Sequence, residues 1–171
     1  RALNERGGDW GIVGASLRSA DVAERLNPQD GLYTLVERAG NESRCRIIGA
    51  VQSVMIAPDD PPALVACLAD SAIKVVTLTI TEKGYWYNSE SAGLAKDAEL
   101  VQRDIANFPN HPQTAIGFLA AGLALRCSNN AGGITLLSCD NLPHNGRILD
   151  CVLKEFVALV QPDLLPWIEE C

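Results

Sequence analysis

The sequence predicts an α/β fold with a mainly parallel sheet and an added β-hairpin. Short runs rich in Ile and Val alternate along the chain with longer segments of helical periodicity, a pattern typical of strands joined by helical crossovers. Two β-rich runs joined by a short polar loop predict the hairpin. With 171 residues and 47% hydrophobic content, we expect one domain with a sizeable core.

The first predicted elements are the end of a helix, a strand and a short helix. Residues 1–8 are typical of the tail of a helix that is closed by two glycines. Residues 10–17 form an apolar run, which predicts a strand, and a short helix runs from there towards Leu26. Either Ser19 or Asp21 is expected to cap this helix, since both side chains can accept a hydrogen bond from its first amides.

The remaining elements follow in order along the chain. The hairpin is predicted over residues 32–37 and 44–57, with its loop at 39–43. The later strands are predicted at 73–81 and 134–137, the latter being too short for a helix before Pro143 and Gly146. Residues 85–96 carry few regular signals, and Asn145 is expected to cap the longest helix. Helices are predicted at 63–69, 97–106, 112–127, from 145 onwards and at 162–170.

Charge and hydropathy exclude some classes of function. The chain has 14 Lys and Arg against 21 Asp and Glu, a net charge of -7, and no basic cluster that could neutralise successive phosphates. No apolar run approaches the roughly 20 residues of a membrane-spanning helix, and the first residues lack a signal pattern. We therefore expect no nucleic-acid partner, no membrane partner and a cytoplasmic location.

The six cysteines do not predict a metal site or a disulfide framework. Their spacings contain no C-x-x-C pair and no His close to a Cys pair, so we expect reduced thiols that pack as small apolar groups. His144 is the nearest histidine to a cysteine, five residues after Cys139. A turn residue facing water is the favoured interpretation of His144, with capping or substrate binding as alternatives.

A candidate site follows the strand at 134–137. Small, acidic and amide side chains come directly after it, in the sequence SCDN over residues 138–141. In an open α/β sheet, ligands bind in the crevice beyond the carboxyl ends of the strands. The sequence therefore predicts a ligand site here.

Four stretches in the same order resemble one family. They are DWGIVGASLRS at 9–19, DGLYTLVE at 30–37, TLTITEKGY at 77–85 and SCDNLPHNG at 138–146. Together they resemble the long-chain mannitol dehydrogenase family, the zinc-independent polyol dehydrogenases that include mannitol 2-dehydrogenase and fructuronate reductase. The resemblance implies a Rossmann-like fold with NAD as cofactor.

The resemblance also implies that parts of the family's catalytic unit lie elsewhere. The family opens with a glycine-rich turn that cradles the dinucleotide pyrophosphate, and this sequence contains no G-x-G-x-x-G. The family's catalytic lysine belongs to a separate carboxyl-terminal domain. We therefore expect residues 1–171 to be a partial NAD-binding domain, truncated at both ends relative to the family, inactive alone and partnered by the catalytic domain of the same parent chain.

Asp21 and Arg18 are the predicted cofactor contacts near the first strand. A carboxylate after a Rossmann second strand accepts hydrogen bonds from the ribose hydroxyls and repels a 2′-phosphate, and Asp21 matches the family's position for that role. A helix-capping role is the alternative for Asp21. Arg18 could accept a 2′-phosphate, but the family commonly carries Arg at this position, so NAD remains the predicted cofactor.

Thr81 and Glu82 follow the strand at 73–81, where nicotinamide and substrate would lie. The resemblance implies cofactor contact for Thr81 and a proton-relay role for Glu82, which a partly dehydrated carboxylate can perform. The alternative for Glu82 is an exposed acid paired with Lys83.

Asn141 is the second predicted catalytic residue. Its amide can stabilise charge that develops on a substrate oxygen, and in the family the matching Asn forms half of an oxyanion hole. The alternative is a turn Asn that bonds its own backbone. Asp140 and Asn145 are expected to be structural.

The predicted function is that of an NAD-dependent oxidoreductase that interconverts a polyol or sugar acid and its keto form by hydride transfer. The segment 82–85 resembles fructuronate reductases, whereas 142–146 also occurs in mannitol 2-dehydrogenases, so the substrate stays open between the two types. The alternative is a non-catalytic Rossmann-like module that binds a nucleotide or another protein. A longer reading frame with a glycine-rich turn upstream and a second domain downstream would favour the enzyme.

Overall fold

The computed structural model describes residues 7–170, so most of the helix tail predicted at 1–8 lies outside the described residues. Two compact units make up the chain, residues 1–60 and residues 61–171. Within the described residues, no helix is both long and apolar enough to cross a membrane.

The first unit contains a parallel strand pair and a short helix. Strand β1 (Ile12–Ser16) pairs with β4 (Val51–Ile56), and helix α1 (Asp21–Leu26) follows β1. The side chain of Asn27, just after α1, donates to the carbonyl of Val54 and accepts from its amide, both at 2.9 Å. This pair of hydrogen bonds ties the end of the helix to the middle of β4.

The predicted hairpin forms, but its second arm is shorter than the sequence predicts. Strand β2 (Tyr33–Ala39) pairs antiparallel with β3 (Glu42–Ile48). The run predicted at 44–57 is two strands, because the chain leaves the hairpin at Gly49 and continues as β4 alongside β1. Continuous β propensity on both sides of one glycine concealed this change of partner.

The second unit is built on another parallel pair. Strand β5 (Val75–Leu78) and strand β8 (Thr135–Ser138) run in register from the Val75–Thr135 pair to the Leu78–Ser138 pair. A small hairpin of β6 (Tyr87–Asn88) and β7 (Gly93–Leu94) occupies the segment that carried few regular signals. The helices are α2 (Pro61–Ala69), α3 (Thr81–Gly84), α4 (Glu99–Asn107), α5 (Ala115–Ser128), α6 (Asn145–Val160) and α7 (Leu165–Glu170), with a 3-10 turn at Pro162–Leu164.

The core of the second unit lies around α5 and α6. Phe156 and Val152 of α6 and Ala120 of α5 are fully buried in one apolar cluster, which also includes Leu78 at the end of β5. Burying a side chain such as Phe156 contributes about 1.5–3 kcal/mol to stability. The cluster therefore anchors one end of the parallel pair to the helices.

Helix α5 begins at Ala115 rather than at Pro112 because Thr114 caps it and Asp104 holds Thr114 in place. Thr114 Oγ1 accepts a hydrogen bond from the amide of Gly117 at 3.0 Å. The buried Asp104 carboxylate accepts from the hydroxyl of Thr114 at 2.7 Å and from its amide at 2.9 Å. A threonine cap of this kind contributes about 1 kcal/mol.

Arg126, near the end of α5, is fully buried and its guanidinium is held by backbone carbonyls. The acceptors are Leu68, Asp70, Ala131, Gly132 and Gly133. These carbonyls belong to the segments that lead into β5 and β8, so Arg126 fixes where both strands begin. The opposite, carboxyl ends of the same strands carry the candidate site.

Candidate active site

The loop after β1 presents Arg18 to solvent. Ser16 Oγ donates to the carbonyl of Ser19 at 2.6 Å and accepts from the amide of Ser19 at 3.3 Å. These two bonds close a tight turn, and Arg18 is exposed within it. No carboxylate among residues 7–170 forms an ion pair with Arg18.

The predicted helix caps at Ser19 and Asp21 are wrong. The residue that precedes α1 is Ala20, which has no side-chain acceptor, and Asp21 is the first residue of the helix itself. The helix begins here because the bonded Ser16–Ser19 turn fixes the chain direction, which leaves the first amides without a side-chain cap. The Asp21 carboxylate is exposed and makes no hydrogen bond within the described part of the chain, so it is available to a ligand.

Strand β5 ends at Leu78, before the residues that were expected to terminate it. Thr81 begins helix α3 and has a φ of 63°, in the left-handed region that is costly for a β-branched residue by about 1–2 kcal/mol. The amides of Ile80 and Thr81 point at the Asp140 carboxylate instead of continuing the ladder. The carboxylate therefore ends the strand and supports the strained turn.

Asp140 accepts three hydrogen bonds through its carboxylate. Oδ2 accepts from the amide of Ile80 at 3.0 Å and from the Tyr85 hydroxyl at 2.7 Å, and Oδ1 accepts from the amide of Thr81 at 3.0 Å. Burial favours the neutral acid, but the bonds from Tyr85, Ile80 and Thr81 outweigh it and lower the pKa of Asp140 below its ordinary value. The group is therefore a carboxylate at neutral pH.

Tyr85 is fully buried and completes a polar chain beneath the loop. Its oxygen lies 2.5 Å from Ser138 Oγ. Since the phenol proton is donated to the ionised Asp140, the Ser138 hydroxyl must be the donor to the phenol oxygen. Burial first, and then the bond and charge of Asp140, raise the pKa of Tyr85 to about 12, against the opposing bond from Ser138.

Asn145 closes the same loop from the other side. Its amide nitrogen donates to the carbonyl of Ser138 at 3.2 Å and to that of Asp140 at 3.0 Å. The prediction that Asn145 caps α6 is wrong, because Asn145 is the first residue of that helix and the preceding His144 provides no side-chain cap. His144 is exposed with a φ of 56°, as expected for a turn residue.

The predicted catalytic side chains lie on the two segments that Asp140 connects. Glu82 follows Thr81 and Asn141 follows Asp140, and both side chains are exposed. Within residues 7–170, Glu82 forms no ion pair with Lys83, and the Asn141 side chain makes no hydrogen bond. Both side chains are therefore exposed near the carboxyl ends of β5 and β8.

Sequence reasoning placed Ser138 in the candidate site but missed Tyr85 and the hydrogen bond between these two side chains. Strand β8 ends at Ser138, one residue after the predicted end at 137, and nothing in the spacing of Ser138 shows that it bonds a tyrosine 53 residues away in sequence. The only signal for Tyr85 is its place at the end of the segment TLTITEKGY. In the described part of the chain, no group of three or more His, Cys, Asp or Glu side chains could hold a metal ion.

Comparisons with known proteins relate the chain to polyol dehydrogenases. A mannitol 2-dehydrogenase of Neosartorya fischeri is 40% identical over 166 residues, which is 95% of this chain and 33% of that protein. A polyol:NADP oxidoreductase of Gluconobacter oxydans is 39% identical over 173 residues, which is 97% of this chain and 35% of that protein. The chain therefore spans about a third of the length of these relatives.

The fold agrees with a solved structure of the same group. Pseudomonas fluorescens mannitol 2-dehydrogenase, in a ternary complex with NAD and D-mannitol, superimposes with a TM-score of 0.91 at 37% identity, over 99% of this chain and 35% of that chain. The Rossmann-like fold expected from the sequence is thus confirmed. The profile described as the mannitol dehydrogenase Rossmann domain matches residues 2–171, and the chain belongs to that family.

Proposed function

We propose that this chain is the cofactor-binding part of an NAD-dependent oxidoreductase that interconverts a polyol or sugar acid and its keto form. The observation that carries the proposal is the free amide of Asn141, which lies at the carboxyl end of a parallel strand pair beside a firmly held loop. In an α/β fold this edge is where ligands bind. The names of the relatives support a polyol as the substrate class.

The cofactor contacts proposed in the first unit are Asp21, with Arg18 beside it. The exposed Asp21 carboxylate makes no bond within the described residues, which fits an acceptor for the two ribose hydroxyls. Its charge would repel a 2′-phosphate, whereas Arg18 would attract one. One relative is named for NADP and another is solved with NAD, and the NAD complex of the latter supports NAD as the cofactor proposed here.

Bound NAD would supply the hydride acceptor at its nicotinamide ring. Asn141 would donate its amide N–H to the substrate oxygen, where negative charge grows as the hydroxyl proton leaves. Glu82 would pass protons between the buried reaction centre and solvent, and Thr81 would contact the cofactor near the nicotinamide. The base that takes the hydroxyl proton is proposed to be a lysine of the catalytic domain in the same parent chain.

We propose that the larger part of the parent protein covers the exposed face of the β5–β8 strand pair in the second unit. Val75 and Leu137, which lie on neighbouring strands, are 41% and 49% exposed. Parallel sheets are normally covered on both faces. This exposed apolar face, and the share of its relatives that the chain spans, support a catalytic domain as the chain's partner.

We also propose a cytoplasmic location. The described cysteines Cys45, Cys67, Cys127, Cys139 and Cys151 are all free thiols. Disulfides form and persist in oxidising compartments, whereas reducing compartments keep thiols free.

The proposal is tested with the longer polypeptide that contains this chain. Purified protein is mixed with NAD and one substrate in each reaction, either mannitol, sorbitol or mannonate. NADH formation is followed by absorbance. We expect turnover with at least one of them and none with the isolated 171-residue chain. NADH binding without oxidation of any of these compounds would contradict the enzyme assignment and favour a non-catalytic nucleotide-binding module.

A further inference from the structure

We propose that Asp140 is a positioning residue for the reaction, a clamp that holds the Asn141 amide and the Thr81 turn at the distances that hydride transfer requires. The inference rests on the proposed function, since it assigns Asp140 a role in that chemistry. Asp140 itself need not touch substrate or cofactor.

The first observation is that one carboxylate joins the two segments that carry the proposed catalytic groups. Asp140 lies two residues after the end of β8, and its oxygens accept from the amides of Ile80 and Thr81, 60 and 59 residues earlier. The only ladder bond beyond the last strand pair among the described residues is from the amide of Cys139 to the carbonyl of Leu78. Beyond that bond, the amides of Ile80 and Thr81 donate to the Asp140 side chain and not to the backbone of the neighbouring strand.

The second observation is that the backbone of Asp140 is held as firmly as its side chain. Its carbonyl accepts from Asn145 Nδ2 at 3.0 Å and from the amide of Leu142 at 2.9 Å. Two hydrogen bonds therefore hold the carbonyl oxygen of the peptide group that links Asp140 to Asn141. Asn141 itself makes no side-chain bond within residues 7–170, so its position depends on that peptide group.

The third observation is the strained backbone conformation of Thr81, which the bond to Asp140 stabilises. Thr81 has a φ of 63°, a conformation that costs a threonine about 1–2 kcal/mol and persists only where neighbouring groups hold it. The amide of Thr81 donates to a carboxylate, and such charge-assisted bonds are roughly twice as strong as neutral ones. Without the clamp, the turn is free to relax and to carry Glu82 with it.

Tyr85 helps to fix the side-chain rotamer of Asp140. It is fully buried, and its hydroxyl donates to Asp140 Oδ2 while it receives a bond from Ser138. A carboxylate that is bonded at three points keeps one orientation, and positioning errors of about 1 Å cost on the order of a hundredfold in rate. The structure thus assigns Tyr85 a supporting role in the same device.

The test is a double-mutant cycle in the longer polypeptide with its cofactor. Asp140→Asn keeps the size of the side chain but replaces one acceptor with a donor. We expect kcat to fall by about 10- to 100-fold with KM for NAD changed less than about twofold. In an Asn141→Ala background, the same substitution should lower kcat by a smaller factor than in the wild type, because the part of its effect that passes through Asn141 is already lost and only the part that passes through the Thr81 turn remains. The matched control is Asp150→Asn, at an exposed aspartate of α6 that pairs with Lys154.

Two further readouts separate positioning from mere stability. Amide hydrogen exchange at Ile80 and Thr81 should speed up in Asp140→Asn and stay unchanged in Asp150→Asn. Tyr85→Phe, which removes one of the three bonds, should give an intermediate loss of kcat while the protein remains folded in a thermal melt. A loss of kcat that is fully additive with Asn141→Ala, or unchanged exchange at both amides, would overturn the clamp.

Failure of the proposed function gives a different result. If the wild-type polypeptide oxidises no polyol, or if Asn141→Ala alone turns over normally, the catalytic assignment falls first. The role of Asp140 in positioning Asn141 for catalysis then falls with it, while the exchange data still report whether the carboxylate holds the Thr81 turn.

Discussion

The hydroxyl of Tyr85 lies 2.7 Å from Oδ2 of Asp140, although the two residues are 55 positions apart in sequence. This bond joins a fully buried aromatic ring to a loop whose next residue is the exposed Asn141. The core of the second unit and the candidate active site therefore share one hydrogen-bond network. Substitutions within that network should change stability and site geometry together.

Tyr85→Phe should lower the free energy of unfolding by about 1–3 kcal/mol. The substitution keeps the buried ring but removes a bond to a charged acceptor and leaves the Ser138 hydroxyl without its acceptor. Urea denaturation measures the change, with Tyr87→Phe as the control, because the Tyr87 hydroxyl makes no hydrogen bond within residues 7–170. Equal stability of the two variants would show that the Tyr85 bond contributes nothing.

The stabilisation that Asp140 contributes should be lost in acid. Because its folded pKa is lowered, the unfolded chain binds more protons than the native protein in the range of the carboxyl titration. The stabilisation is fully present above the unfolded pKa of about 3.9 and is lost as the pH falls through the folded value. The difference in unfolding free energy between wild type and Asp140→Asn, followed by denaturation at a series of pH values, should shrink over this window. A constant difference would argue against a bonded carboxylate.

Asp21→Ala in the longer polypeptide should shift the cofactor preference towards NADP. The substitution removes both an acceptor for the ribose hydroxyls and the repulsion of a 2′-phosphate. The ratio of kcat/KM for NAD to that for NADP measures the shift, and we expect it to fall by about tenfold or more, or about 1.4 kcal/mol. Arg18→Ala is the companion variant and should move the ratio in the opposite direction. An unchanged ratio in Asp21→Ala would remove Asp21 from the cofactor site.

Glu82→Gln should alter the pH dependence of kcat more than it alters KM. A proton relay serves turnover rather than binding, and glutamine keeps the size of the side chain without carrying a proton. Pre-steady-state proton release is the sharper measurement. Glu90→Gln, at another exposed glutamate of the same unit, is the control. A pH profile that superimposes on the wild type would leave Glu82 as an exposed acid.

Local sequence patterns predicted the secondary structure well where it depends only on neighbouring residues in the sequence. The polar loop at 39–43 predicted a hairpin, and the apolar run before Ser138 predicted a strand whose end lies within one residue of the observed one. The family resemblance supplied the fold, which the sequence periodicity could not distinguish from other parallel α/β arrangements.

The errors arose where a distant side chain decides the local structure. Strand β5 ends at Leu78 because Asp140, far along the chain, takes the next amides. Asn145 looked like a helix cap because caps depend on residue type, but the carbonyls of Ser138 and Asp140 lie within its reach and it bonds them instead. No spacing rule reports such contacts, since they exist only after the two strands have paired.

The most direct test of the proposed chemistry is the turnover of Asn141→Ala in the longer polypeptide. A fixed amide donor interacts more strongly with the developing oxyanion than with the neutral alcohol or carbonyl, and loss of one such donor costs on the order of 3 kcal/mol. We predict that kcat falls about a hundredfold with little change in substrate affinity, that Asn141→Asp is slower still, and that both variants melt at the wild-type temperature. Turnover of Asn141→Ala within a few-fold of wild type, or a loss of activity that only follows a loss of folded protein, would contradict the assignment of Asn141 to the oxyanion site.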